Sequence, residues 1–349
     1  MRVADYLVCA GSRIPGSPVF LQCDVRGPGP LIATPLVFLR EARALRQLAS
    51  AGAVDLVHLF VGDKLSLLRK CALARIAHSC RLPYLLHLHA ANLGPFLDRL
   101  PAALIQWLRA TFLAAAGIIV LGEGAKELLC TTLGIPAERV RIIPNGVDAP
   151  DGLAAPIPGT AKTLLFLANL SRRKGLHDLL SALDQPCLRK QSVRLVVAGG
   201  GNIRRYQARA SALDLLDRVD FVGWRSRQAV TTLLCRAHLL VLPSYAEALP
   251  LAVLEALAHG VPVVTTDVGE TSSYARNGRE ILFVPVGSPV ALADAIARVL
   301  EDEALAESLA RNGRDAYEKF FRIEVFFESI LECYARCVPA PAARRGEGL

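Results

Sequence analysis

The chain has 349 residues, 52% of them hydrophobic and 21% charged, with a mean hydropathy of +0.36, which excludes a disordered, collagen-like or fibrous protein. Its apolar runs, such as Ala114–Leu121 and Leu239–Leu242, fall far short of the ~20 residues that a bilayer-spanning helix needs. A net charge of +8, in which seven of the 40 basic residues are Lys and the rest Arg, favours anionic partners. No basic block, zinc spacing or aromatic-plus-basic strand motif accompanies that charge, so a nucleic acid is not the expected partner.

The first apolar run, Val3–Ala10, is interrupted by Asp5 and is barely the minimum length for the core of a signal peptide, so secretion is not expected. Nine short runs then recur along the chain: Val54–Phe60, Tyr84–His89, Gly117–Leu121, Val140–Pro144, Thr163–Ala168, Arg194–Ala198, Arg218–Val222, Leu239–Leu242 and Val261–Thr265. Continuous apolar strands separated by amphipathic stretches predict parallel sheets in an α/β fold. Between them, Ser171 and a basic turn precede a helix over Leu176–Leu183, and Pro250 opens a helix that Gly260 and Pro262 close. The most linker-like stretch is Ala149–Thr160, rich in Pro and Gly. Near the C-terminus, Ile323, Phe326, Phe327, Ile330, Tyr334 and Cys337 form one apolar stripe at helical spacing, which predicts a docked helix; a loose tail follows Val338. The nine cysteines are scattered singly, as expected of reduced thiols in a cytoplasmic chain.

The chemistry concentrates after Leu242. Glu247 lies in a loop, Pro250 opens the next helix, and Glu255 follows about one and a half turns on. The positive end of such a helix suits a diphosphate, and the two carboxylates can accept hydrogen bonds from a ribose diol and from sugar hydroxyls. An isolated pair of glutamates at this spacing reads as solvated surface; Glu255, among Leu254, Leu257 and Ala258, reads as costly to bury without a partner.

Glu247-x7-Glu255, followed by Ala258-His259-Gly260-Val261-Pro262 and Gly269, resembles the donor-binding signature of the family 4 retaining glycosyltransferases. Other landmarks agree in order: Asn145-Gly146-Val147-Asp148, the glycine turn Gly199-Gly200-Gly201, and Arg218 through Gly223, which is similar to the loop against the nucleotide base. The resemblance runs from about Asp55 to Cys337. It implies an α/β chain of the GT-B fold, with two Rossmann-like parallel-sheet domains facing across a cleft. Residues 1–150 would be the acceptor side, shortened near 1–30, because Val3–Ala10 stands where the family has its first strand and leaves little room for the long helix that follows. Residues 151–320 would bind the donor, and 321–349 would dock back on the N-terminal domain and end in the tail.

By the same resemblance, Lys174 neutralises the leaving diphosphate, with Arg172 and Arg173 beside it; the nearby family arginine is replaced by Asn169. Glu247 and His89 join Lys174 as catalytic candidates. Glu255, Arg172, Arg173, Asn169, Gly200, Gly223, Leu249 and Pro250 are the donor-binding candidates. His87 shares the parity of His89 along its strand and reads as a core histidine satisfied by backbone carbonyls; this pair has no third ligand at metal-binding spacing. Trp224 reads either as a base-stacking or as a rim aromatic. Retaining transfer in this family needs no metal, the sequence has no D-x-D motif, and no cofactor is expected beyond a UDP- or GDP-linked sugar as co-substrate. The expected function is transfer of that sugar to a polysaccharide, lipid-linked or other glycoconjugate acceptor; a non-catalytic donor-binding protein of the same fold and a nucleotide-sugar epimerase are the alternatives. The expected location is cytoplasmic, with peripheral contact at the inner membrane leaflet.

Overall fold

The structure is a computed structural model that describes residues 3–13, 17–24, 34–150 and 161–338. The interior of the linker-like stretch and the tail after Val338 lie outside these, as does part of the stretch leading to Pro30. The chain divides into two compact units. One holds Leu7–Pro144 together with the chain from Phe326 onward; the other holds Asn145–Val325 and takes in the start of the chain as far as Tyr6, which the sequence places with residues 7–150.

α1 (Val3–Arg13), which belongs to the N-terminal unit from Leu7 onward, and α2 (Thr34–Ser50) precede β1 (Val57–Val61), α3 (Leu65–Ser79), β2 (Tyr84–Leu88), α4 (Leu93–Leu97), α5 (Ala102–Leu113), β3 (Gly117–Val120), α6 (Glu123–Leu133) and β4 (Val140–Ile142). The four strands form a parallel sheet in sequence order. Leu59, Val61, Leu86, Leu88, Ile118 and Val120 pack with Leu67, Cys71 and Phe112 of the helices into its core. α1 corrects the expectation of an opening strand. Its buried positions, Tyr6, Leu7, Ala10 and Gly11, recur every three to four residues and not every two, so the apolar run closes as a helix.

The second unit contains β5 (Lys162–Leu167), α7 (Leu176–Leu183), α8 (Pro186–Arg189), β6 (Val193–Ala198), α9 (Ile203–Ala212), β7 (Val219–Gly223), α10 (Arg227–Arg236), β8 (Leu239–Leu242), α11 (Leu251–Ala258), β9 (Val263–Thr266), β10 (Leu282–Val284), α12 (Pro289–Glu301) and α13 (Glu303–Phe320). Its sheet is parallel with strand order β10-β9-β8-β5-β6-β7. The chain therefore winds outward from β5 in one direction through β7, then returns to the other side of β5 with β8. That reversal makes the carboxyl ends of β5 and β8 the topological switch point of the sheet, the place where open α/β sheets bind ligands.

α14 (Ile323–Cys337) closes the described chain on the N-terminal unit. Tyr334 Oη lies 2.7 Å from His58 Nδ1, the Phe326 ring centroid is 6.3 Å from that of His87, and Arg141 reaches Glu332 and Cys333. The stripe that faces the unit is the one legible in the sequence, with Ile330, Phe326 and Phe327 all buried.

Candidate functional site

β5 and β8 are neighbours in register, Leu164 opposite Leu239 and Leu165 opposite Leu240, so the loops that leave their carboxyl ends emerge side by side. The loop after β5 runs through Asn169 to a tight helical turn over Arg172–Lys174 and then Gly175. Gly175 sits at φ 73°, and an added Cβ would lie 1.8 Å from the Pro243 carbonyl oxygen; only glycine permits this approach. The Tyr245 N–H donates to the Arg173 carbonyl at 2.7 Å, which locks the basic turn to the loop after β8.

Across that seam Lys174 Nζ is ion-paired with Glu247 Oε1. Both side chains are largely buried, 16% and 7% exposed. The Ser244 hydroxyl donates to the same carboxylate oxygen at 2.7 Å, and Thr266 Oγ1 donates to the Ser244 carbonyl at 2.5 Å, so Glu247 is held from two strands. Gly269, at φ 68°, brings its backbone so close that an added Cβ would lie 2.3 Å from the Glu247 carbonyl oxygen. An ammonium has three donors, so Lys174 keeps capacity for a phosphate oxygen while it holds Glu247.

Pro250 caps α11 in an extended conformation, and the preceding Leu249 carbonyl accepts from buried Asn145 Nδ2 at 3.2 Å. Glu255 lies one and a half turns into the helix. Burial pushes its carboxyl up, while the Tyr6 hydroxyl, which donates to Oε1 at 2.6 Å, and the Arg227 charge pull it down. The helix closes when His259 Nδ1 donates to the Glu255 carbonyl at 2.7 Å.

The glycine turn after β6 meets Asn169. The Leu170 N–H donates to the Gly200 carbonyl at 2.7 Å, and the Gly199 N–H to the Gly223 carbonyl at 2.9 Å. Arg172 and Arg173 are exposed. One sheet edge thus collects Lys174, Glu247, Glu255, Asn169, Gly200, Gly223, Leu249, Pro250, Arg172 and Arg173. His89 belongs to the other unit, at the end of β2.

There the histidines form a stack. The ring centroids of His58 and His87 are 5.3 Å apart and those of His87 and His89 4.2 Å; His58 Nε2 and His87 Nδ1 are 3.2 Å apart. Burial pushes His58 and His89 down to about 3 and His87 also down. His87 is a core histidine, but its Nδ1 bonds a ring and not a backbone carbonyl, because β1 sets His58 beside it, and its Nε2 is buried with no partner among the described residues. Sequence reasoning missed three participants, Ser244, Tyr6 and Arg227, and marked Asn145 only as part of a landmark, without its contact to Leu249. Ser244 carried a signal, a hydroxyl three residues before a loop carboxylate; Tyr6 carried none.

Known proteins match along nearly the same extent. Residues 7–150 fit the model of "Glycosyltransferase Family 4" and residues 154–316 that of "Glycosyl transferases group 1". An uncharacterized glycosyltransferase of Methanocaldococcus jannaschii is 26% identical over 71% of this chain and 68% of its own length. The glycogen synthase of Mycobacterium tuberculosis is 29% identical over 74% of this chain and 61% of its own length, so the chain spans about three-fifths of that relative. Among solved structures, Anabaena HepE in complex with UDP and glucose superposes with a TM-score of 0.69 at 19% identity, covering 88% of this chain and 83% of that one. With two parallel-sheet units and both family models in order along its length, the chain belongs to the family 4 glycosyltransferases and has the GT-B fold.

Proposed function

We propose that this glycosyltransferase moves a sugar from a UDP- or GDP-linked donor to a glycan or lipid-linked glycan acceptor with retention of configuration, with no metal and no cofactor beyond the donor. The observation that carries the reading is the Lys174–Glu247 pair at the reversal point between β5 and β8. As the bond from sugar to diphosphate breaks, negative charge grows on the leaving group. Lys174 and the positive end of α11 bind that charge more strongly in the transition state than before it, which is the condition for lowering the barrier. Glu247, fixed by Lys174 and Ser244, accepts from the hydroxyls of the transferred sugar, and Glu255 accepts from the ribose. His89 stands at the end of β2 as the acceptor-side candidate; burial keeps its imidazole neutral near pH 7, so it acts there as a hydrogen-bonding group and not as a cation. HepE, which is similar in fold, has been solved with UDP and glucose; this supports a nucleotide-linked donor.

The test is a donor panel of UDP- and GDP-sugars with a polyprenyl-phosphate-linked glycan as acceptor, the product's anomeric proton being read by NMR. Retained configuration without added divalent metal is expected, and an inverted product overturns the mechanism. Asn169, in place of the family's arginine, favours a second reading, a protein that binds the donor without transferring it. Saturable donor binding with no transfer and no hydrolysis would select it.

A further inference from the structure

We infer that Tyr6, on the first helix of the chain, is a positioning residue of the donor site that aims the Glu255 carboxylate. The inference rests on the assignment of Glu255 to the donor's ribose. Tyr6 and Glu255 are separated by 249 positions in the sequence, yet the tyrosine hydroxyl donates to Glu255 Oε1 at 2.6 Å, and both belong to one compact unit. Tyr6 is only 2% exposed, so it is a packed residue and not a rim contact.

Its ring is held in turn. The Arg227 guanidinium carbon lies 5.0 Å from the Tyr6 ring centroid, within cation–π range, and Arg227 is ion-paired with Asp148. Asp148, Arg227, Tyr6 and Glu255 thus form a chain from the segment before the linker, through the start of α10 and the start of the chain, to α11.

A half-buried carboxylate without a donor is unfavourable, and it rotates freely about its last torsion. One hydrogen bond to Oε1 sets the plane of the group and leaves Oε2 as the acceptor for a diol. The same bond opposes the effect of burial on this carboxyl. The residue that stands where the family's opening strand was expected therefore serves the donor half of the enzyme.

Calorimetric titration of the full chain with UDP, GDP and inorganic pyrophosphate separates this role from a structural one, because pyrophosphate carries no ribose. Tyr6→Phe keeps the ring on Arg227 and removes only the hydroxyl. The expected result is a loss of about ten-fold in affinity for the nucleoside diphosphate that the wild type binds, the size of one hydrogen bond to a charged group, with pyrophosphate affinity unchanged. Equal or tighter nucleotide binding in Tyr6→Phe overturns the inference, tighter binding meaning that Tyr6 competes with the ribose. Equal losses for nucleotide and pyrophosphate also overturn it, since they mark a packing role. Glu255→Ala is titrated alongside. A variant that loses nucleotide while Tyr6→Phe does not leaves the ribose assignment standing and removes only Tyr6; nucleotide binding at wild-type strength in Glu255→Ala, or none in the wild type, removes both.

Discussion

Acidification from pH 7 to pH 5 is expected to weaken the N-terminal unit, and the stacked histidines set the size of the effect. His58, His87 and His89 lie side by side, with Tyr334 of α14 bonded to His58. Burial, reinforced for His58 by the neighbouring His89, holds the imidazoles of His58 and His89 at about 3; in an unfolded chain they titrate near 6.5. A depressed folded value means that between about 3 and 6.5 the unfolded chain binds more protons. Stability is therefore complete above about 6.5 and falls as the pH drops through that window. From pH 7 to pH 5 the loss is about 2 kcal/mol for each of these two, about 4 kcal/mol together, with His87 adding in the same direction. Against a typical total of 5–15 kcal/mol this is decisive. The chain has two tryptophans; Trp224→Phe removes the exposed one and leaves Trp107, packed on the N-terminal core, as a reporter of that unit alone. Urea titrations followed by its fluorescence should show the midpoint falling by more than about 1 M between pH 7 and pH 5, given slopes of about 1–3 kcal/mol/M. Replacing His58 by Phe should flatten that dependence by about one proton. A midpoint that is equal at both pH values, or a dependence untouched by His58→Phe, refutes the reasoning.

Other outcomes follow from the donor-side geometry. Lys174→Ala should slow turnover about 10–100-fold, since it removes one charge-assisted interaction of about 1.5–3 kcal/mol, and steady-state kinetics with the active donor measure it. Glu247→Ala should lower kcat and Glu255→Ala should raise the donor KM; unchanged kinetics in all three variants remove the site assignment. Gly269→Ala should reduce both Tm and turnover, because the added Cβ meets the Glu247 carbonyl at a backbone angle that disfavours alanine; thermal denaturation alongside kinetics checks both. If the excess of basic residues draws the protein to an anionic leaflet, it should co-float with vesicles containing phosphatidylglycerol at low salt and be released at high salt; absence of co-flotation argues for a soluble acceptor.

Much of the architecture could be read from residue order alone. Parallel strands buried on both faces are continuous apolar runs, so Tyr84–His89, Thr163–Ala168 and Leu239–Leu242 marked β2, β5 and β8 to within a residue or two, and Pro250 and Gly260 bracketed α11 for reasons of backbone freedom. The three residues of β10 are too few to carry a periodic signal, and Val3–Ala10 fits a strand or a helix until something packs against it. The Lys174–Glu247 pair, whose members are 73 positions apart, depends on a non-sequential strand order that places β8 against β5, a choice made by burial of whole faces and not by any local preference. The same holds more strongly for Tyr6 and Glu255. Local patterns state which residues must be inside and where the chain must turn; which distant polar groups then find each other is decided only when the faces close and leave them no other partner.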